Sequence, residues 1–429
     1  MVKSVVLVFF KKETISSFFV YELTNLGYEV DKVFIQEESE KVVTDQFTSL
    51  SRHYDIVIAV FDVNNRILTK ALANICGEDS KSLDGLPSAS KKLINGIVHP
   101  VIYLHRIFIL RKDVAEKQFT ELLKPHLETY AARAKFSKVV HLQKNGNTSS
   151  ILKKLNELVS VQLEDLQELS RITITHENFE NVVEGEQLLK KELHDKFVES
   201  YEENDVLECI YRSKEAYIRR ALEVIEECFE SYGAENIFLS FNGGKDCTVL
   251  LHLVYTVLRM KYPNYKKPIL CHYVKSEDTF SEQDRFISQC QTYYNLDIIS
   301  VTLEMKEALG QLLKCRPNLK ACLMGTRKTD PYSGELSVFQ MTDPDWPQVM
   351  RVNPILHWHY SDIWDYLLYY KIPYCKLYDM GYTSLGNASN TIKNPSLAYF
   401  DEKLGAESYL PAYKMMNESE ERSGRNARL

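Results

Sequence analysis

The chain has 429 residues, 45% of them hydrophobic and 26% charged, with a formal net charge of −7 and a pI near 6.0. That length calls for two or three domains with ample apolar material for their cores, and an acidic balance with no basic face argues against a general nucleic-acid binder. Nine cysteines without a CxxC pair or metal-ligand spacing suit reduced thiols in a cytoplasmic protein and point away from a zinc site.

In chain order, MVKSVVLVFFKKE opens with an apolar run broken at once by Lys11, Lys12 and Glu13. It is too short for a secretory leader and reads as a buried first strand, and no stretch approaches the roughly 20 apolar residues of a membrane span. Apolar, β-branched runs at 5–10, 30–36, 55–62, 101–110 and 138–142 predict strands, alternating with helix-type spacing at 15–27, 40–53, 65–76 and 114–132. This predicts an α/β domain over 1–147, ending in the turn cluster KNGNTSS (144–150). Residues 148–232 predict a helical linker, interrupted by RITITH (171–176) and closed by an amphipathic helix running from Ser213 to Gly233. A second α/β unit is expected over 233–429. It has strands at 236–241, 268–274, 297–303 and 319–325, and helices at 246–260, 281–293 and 304–314. The expected fold class is α/β, two domains with mainly parallel doubly wound sheets whose ligands sit beyond the carboxyl ends of the strands.

The informative text falls at those strand ends. SFNGGKDCTVLLHL (240–253) passes from a strand through Asn242-Gly243-Gly244 into a helix. Two glycines let successive N–H groups converge on an anion, and the helix start adds unpaired N–H groups and its positive dipole end. Lys245 brings a mobile charge, and Asp246 either caps the helix or helps hold Mg²⁺. An ordinary βα turn with a capping Asp would explain a bare Gly-Gly, but not the whole pattern. It is neither a Walker A motif nor G-x-G-x-x-G. GTRKTDP (325–331) follows another predicted strand and places Arg327 and Asp330 at the same sheet edge.

The segment Ser240-x-Asn242-Gly243-Gly244-Lys245-Asp246 resembles the pyrophosphate loop of the adenosine-nucleotide α-hydrolase superfamily, in its PAPS reductase-like branch, and most of all the FAD synthase family. The resemblance covers about 230–429. It includes GTRKTDP, TDPDWPQVMRVNPILHWHYSDIWDYL (342–367), IPYCKLYDMGYTSLGNASNT (372–391) and ERSGR (421–425). It implies transfer of AMP from ATP to FMN, giving FAD and pyrophosphate with Mg²⁺ as the required cation. Partners would be these small nucleotides, with no nucleic acid or membrane and with transient delivery of FAD to apo-flavoproteins. Catalysis would fall to Asn242, Lys245, Asp246, Asp330, Arg422 and Arg425. Ser240, Asn242, Gly243, Gly244, Lys245 and Arg327 would bind phosphate, Asp343, Trp346 and Arg351 would face the flavin, and Asp246 would be linked to Mg²⁺. Phe280 and the strand end at 274–277 would wall the adenine. Trp358 and Trp364 sit in apolar helical patterns and read as core, and His357 and His359 carry no assigned chemistry.

A sulfonucleotide reductase needs a redox cysteine and often paired cluster ligands, but Asn387 and Asn390 stand where Cys-x-x-Cys would, and no cysteine follows Cys375. An ATP sulfurylase or PP-loop amidating ligase has no reason for GTRxxDP, and a non-catalytic nucleotide-binding protein none for the intact loop. Residues 1–147 weakly resemble a molybdopterin-binding-like domain in strand order and position. That family's T-G-G-x-G-P-T loop is missing, since the third strand ends Val60-Phe61-Asp62-Val63-Asn64-Asn65. A structural or regulatory role is expected in preference to hydrolysis. The C-terminal ESEERSGRNARL would read as a solvated charged tail. The bend at Ser423-Gly424 instead suggests a lid bringing Arg422 and Arg425 onto phosphate oxygens.

Overall fold

The computed structural model describes residues 3–10, 16–35, 39–61, 66–77, 86–96, 98–132, 136–143, 149–165, 169–193, 197–198, 205–402 and 405–425. The end of the third strand beyond Phe61 therefore lies outside the described residues.

The first sheet contains β1 (Lys3–Phe10), β2 (Tyr28–Ile35), β3 (Ile56–Phe61), β4 (Lys91–Leu93), β5 (Val101–Leu104) and β6 (Ile107–Arg111), in the order β2-β1-β3-β6-β5-β4. The first four in that order are parallel, and β5 and β4 are antiparallel. Residues 5–9 of β1 are wholly buried because both faces are covered, which is why an unbroken apolar run rather than an alternating one encodes this strand. Val5, Leu7 and Phe9 pack against α1 (Ser16–Asn25) and the helical stretch formed by α4 (Ala115–Gln118), a π turn and α5 (Lys124–Ala132). Val6 and Val8 meet α2 (Glu40–His53) and α3 (Arg66–Ile75) on the other side. The single strand expected over 101–110 is instead a hairpin. It folds back between Leu104 and Ile107, with His105 at φ 52. No glycine or proline announces this turn, so the sequence pattern runs straight through it.

The linker expected over 148–232 is not simply helical. β7 (Phe136–Gln143), β8 (Ser160–Asp165), β9 (Leu169–His176) and β10 (Phe197–Val198) form an antiparallel sheet, ordered β10-β7-β9-β8. α6 (Ser149–Leu158) and α7 (Phe179–Glu192) cover it. The strand expected to end the first domain thus belongs to this second sheet, where Val140 and Leu142 share a core with Ile172 and Ile174. Ile172 and Ile174 alternate with half-buried polar residues, the period-two pattern of a strand with one face in the core, but the neighbouring run LVSVQLEDLQELS reads as helical by charge alone.

α8 (Asp205–Tyr211) and α9 (Ala216–Tyr232) lead into the third sheet. Its strands are β11 (Ile237–Ser240), β12 (Ile269–Val274), β13 (Leu296–Val301), β14 (Ala321–Leu323), β15 (Phe339–Met341) and β16 (Met350–Val352), in the order β13-β12-β11-β14-β16-β15. All pairings are parallel except β15–β16. α10 (Lys245–Lys261), α11 (Ser281–Tyr294) and α12 (Met305–Cys315) connect the strands, and α13 (Tyr360–Tyr369) follows them. The order reverses between β11 and β14, so the loops after these two strands open at the switch point. A hairpin of β17 (Ala398–Asp401) and β18 (Ala406–Tyr409) precedes the tail. The tail runs back between the halves. Lys414 Nζ donates to the carbonyls of Tyr54 and Ser51, Tyr413 lies under Arg106, and Met416 packs on the first domain's core. Trp358 and Trp364 are core residues, each nearly inaccessible.

Candidate active site

The loop after β11 closes on itself before any ligand arrives. Asn242 Oδ1 accepts the Gly244 N–H at 3.0 Å, and Gln283 Nε2 donates to the Asn242 carbonyl at 2.6 Å. Gly243 sits at φ 72, and a Cβ there would lie 2.8 Å from Ile287 Cγ1, so both conformation and space require glycine. Ser240 ends β11 in register with His272. The Lys245 N–H donates to the Tyr378 hydroxyl at 2.9 Å, which leaves side-chain oxygens where phosphate oxygens would otherwise be received.

Behind the loop is a buried charge cluster. Lys245, 2% exposed, sets Nζ 2.9 Å from Asp246 Oδ2 and 2.5 Å from Glu421 Oε1. Arg327, wholly buried, forks between Asp246 Oδ1 at 2.8 Å, Glu421 Oε2 at 2.6 Å and Glu418 Oε1 at 3.0 Å, with Asp330 Oδ1 at 3.9 Å. Glu418 also takes the Tyr360 N–H at 2.9 Å, at the start of α13, and His359 Nδ1 at 3.1 Å. Two cations, Lys245 and Arg327, therefore face four carboxylates, Asp246, Asp330, Glu418 and Glu421.

Burial works against every charge here, and the partners decide the outcome. Desolvation opposes the Lys245 ammonium, but Asp246 and Glu421 hold its pKa above the ordinary lysine value. Desolvation likewise opposes ionised Asp246, and Arg327 with Lys245 keeps its pKa low. For Asp330, burial wins and neighbouring Asp246 adds to it, so its pKa is raised. Glu418 stays low despite burial because His359 and Arg327 favour its charged form.

Asn242, Lys245, Asp246, Arg327 and Asp330 thus meet at one place, as the sequence motifs led one to expect. Arg327, expected on phosphate, is spent on carboxylates in this arrangement. Asp343, Trp346 and Arg351 make a separate group on the β15–β16 hairpin. There Arg351 Nη2 reaches Asp343 Oδ1 at 3.3 Å and the Met341 carbonyl at 3.1 Å, and the Trp346 N–H bonds the Asp343 carbonyl at 2.9 Å. The tail is docked. Ile392 N–H donates to the Gly424 carbonyl at 2.9 Å, and a Cβ on Gly424 would come within 2.4 Å of the Ile392 carbonyl oxygen. Arg425 Nη1 bonds the Leu385 carbonyl at 2.7 Å, and both tail guanidiniums reach Ser384 Oγ, Arg422 at 3.5 Å and Arg425 at 3.4 Å. Phe280 packs edge-on against Tyr382 at 5.3 Å.

Glu418, Glu421 and Tyr378 are the site residues that sequence reasoning missed. The available signal was the pair of acids three apart in ESEER, which reads as solvent-facing charge until two buried cations demand partners. Among the described residues no three His, Cys, Asp or Glu side chains are arranged to hold a metal. Asp246 Oδ1 is buried against Arg327 Nε at 2.8 Å without hydrogen-bond geometry, so this oxygen could take a cation that arrives bound to phosphate only by parting from Arg327. No helix among the described residues is long and apolar enough to cross a membrane.

Residues 236–393 match the family described as phosphoadenosine phosphosulfate reductase domain. A probable FAD synthase of Schizosaccharomyces pombe is 43% identical over 210 residues, 48% of this chain and 77% of that protein. A probable FAD synthase of Caenorhabditis elegans is 45% identical over 210 residues, 49% of this chain and only 40% of that longer protein. A solved structure, the Candida glabrata FMN adenylyltransferase in complex with FMN and the ATP analogue AMPCPP, is 26% identical with a TM-score of 0.47. It covers 52% of this chain and 95% of that one.

Proposed function

The chain belongs to the FAD synthase family, and on that premise we propose that it transfers AMP from ATP to FMN, releasing pyrophosphate. The observation that carries this reading is the placement of Asn242–Asp246 and Arg327–Asp330 together at the switch point of a parallel sheet, with Lys245 and Arg327 concentrated there. An FMN phosphate oxygen attacks the α-phosphorus of ATP, a P–O bond forms, and the bond to the β-phosphate oxygen breaks with its electron pair leaving on pyrophosphate. The phosphomonoester needs no general base, because its second pKa of about 6 leaves it largely dianionic at neutral pH. The chain's task is alignment and charge neutralisation. Lys245 and the N–H groups of Gly243 and Gly244 receive the leaving pyrophosphate once Glu421 and the Asn242 side chain give way. Asp330 lies at the nucleotide edge, Arg422 and Arg425 close over the phosphates, and Asp343, Trp346 and Arg351 contact the flavin. Asp246 would hold Mg²⁺ brought by ATP, and the ion would supply further charge neutralisation. A cytoplasmic place and hand-over of FAD to apo-flavoproteins belong to the same proposal.

A sulfonucleotide reductase reading has no support at 387–390. Asn387 and Asn390 carry no thiol, and Ala388 and Ser389 are pinned through their N–H groups to Asp278. The test is incubation of the full chain with FMN, ATP and MgCl₂. FAD and pyrophosphate should appear in equal amounts. AMP transfer to a different acceptor, with no FAD, would overturn the reading.

A further inference from the structure

A cavity of about 280 Å³ lies between the two halves of the chain, away from the phosphate loop. Part of its wall is aromatic. Tyr103 and Phe108 of the β5–β6 hairpin stack at 5.4 Å, and His126 of α5 meets both rings and lies nearly parallel to Tyr369 of α13 at 4.8 Å. Burial lowers His126 to about 4, so at neutral pH its ring is uncharged. His105, in the left-handed conformation at the hairpin turn, also lines the space, and such outliers gather at ligand sites.

Two carboxylates line the same cavity. Lys91 holds Asp365 at 2.6 Å. Glu215, at the start of α9, is partly buried, yet its carboxylate accepts no hydrogen bond and makes no ion pair within 4.0 Å among the described residues. Burial raises its pKa while Lys91 pulls the other way, as befits an acceptor short of donors. The exposed residues Cys209, Arg212 and Lys214 mark the solvent side of the cavity.

We propose that this cavity is a second ligand site, for a planar nitrogen heterocycle whose ring packs on His126 and Tyr369 and whose N–H edge bonds the Glu215 carboxylate. An aromatic wall selects a flat ring, a half-buried carboxylate with no partner among the described residues selects N–H donors, and a neutral imidazole places no cation against the ring. The volume falls just below the roughly 300–1,000 Å³ of small-molecule sites. It encloses a ring system and not a whole dinucleotide, any remainder of which would lie on the solvent side at Cys209, Arg212 and Lys214. The site stands independently of that reaction.

Cys209 provides the reporter and Cys315, exposed on α12, the control. The full chain is alkylated with N-ethylmaleimide in the presence of lumichrome, a planar ring with two N–H groups, and each cysteine's rate is read by peptide mass spectrometry. Lumichrome should slow Cys209 alkylation several-fold and leave Cys315 unchanged, while quinoline, flat but without an N–H, should protect poorly. Glu215→Gln and Tyr369→Leu, checked for folding by thermal melting, should each need about tenfold more lumichrome, as expected for loss of one charge-assisted hydrogen bond or one stacking face. Lys245→Met should abolish FAD formation and keep the protection. The proposal is overturned by absence of protection, by equal protection from quinoline, by unchanged protection in both cavity variants, or by its loss in Lys245→Met.

Discussion

Replacing Glu421 with glutamine is expected to tighten ATP binding while weakening the fold. Glu421 is buried and bridges the two cations of the site, at 2.5 Å from Lys245 and 2.6 Å from Arg327. Hydrogen bonds to charged groups contribute about 1.5–3 kcal/mol each. Glutamine keeps one acceptor oxygen, so one bond is lost and stability should fall by about 2 kcal/mol. Arg327 still has Asp246 and Glu418, so the variant should fold. The same contacts must open before Lys245 can turn to pyrophosphate, and with four carboxylates facing two cations the ligand-free cluster repels a polyphosphate. Recovering about 1.4 kcal/mol of that resistance would lower the KM for ATP roughly tenfold. Initial rates of FAD formation over a range of ATP, calorimetric titration with a non-hydrolysable ATP analogue, and urea unfolding measure the three quantities. A KM that rises, with weaker analogue binding, would show that Glu421 works in the bound state and would refute the reasoning.

Three other outcomes follow from the geometry. Gly424→Ala pushes a Cβ to within 2.4 Å of the Ile392 carbonyl oxygen, so the tail should undock and FAD formation should fall on the order of 10², a typical cost of losing transition-state charge stabilisation; limited proteolysis near the C-terminus should speed up in parallel, and an unchanged rate would return the tail to a passive role. Lys91→Met leaves Asp362 and Asp365 buried without their cation, at 2.8 and 2.6 Å in the native pair, and should cost about 3–5 kcal/mol in urea unfolding. Lys414 has a pKa lowered by burial to about 8, with Arg106 adding to the shift and Asp55 opposing it. Its penalty is complete below that pH, where folded and unfolded chains both hold the proton; stability should then rise by about 1.4 kcal/mol per pH unit toward the ordinary lysine pKa of about 10.4, and this slope should be missing in Lys414→Met.

Every motif with an assigned chemical role begins at or after Ser240, so the motifs alone suggest that a chain beginning near residue 185 would suffice. The structure gives reasons why it would suffer. The cut falls inside α7 and removes Phe179 and Val183 from the catalytic core, and it removes the Ser51 and Tyr54 carbonyls that hold Lys414 of the tail.

The sequence alone determined what is local. A doubly buried strand is an unbroken apolar run, as in Val5–Phe9, and the loop at Gly243 needs glycine because it combines positive φ with no room for a Cβ, so both could be read from adjacent residues. The strand–loop–helix at 236–261 and the clustering of Asn242, Lys245, Asp246, Arg327 and Asp330 were legible for the same reason, since each motif follows a strand of one parallel sheet. Tertiary structure alone decided the rest. Whether β7 belongs with the strands before it or after it depends on which partner buries Val140 and Leu142, and both choices suit the same alternating text. Glu421 meets Lys245 across 176 residues of chain, and Lys91 meets Asp365 across 274. Nothing in the spacing of charges along a chain encodes such pairs. They arise because burial makes an unpartnered charge costly, and only the completed fold determines which opposite charge lies within reach.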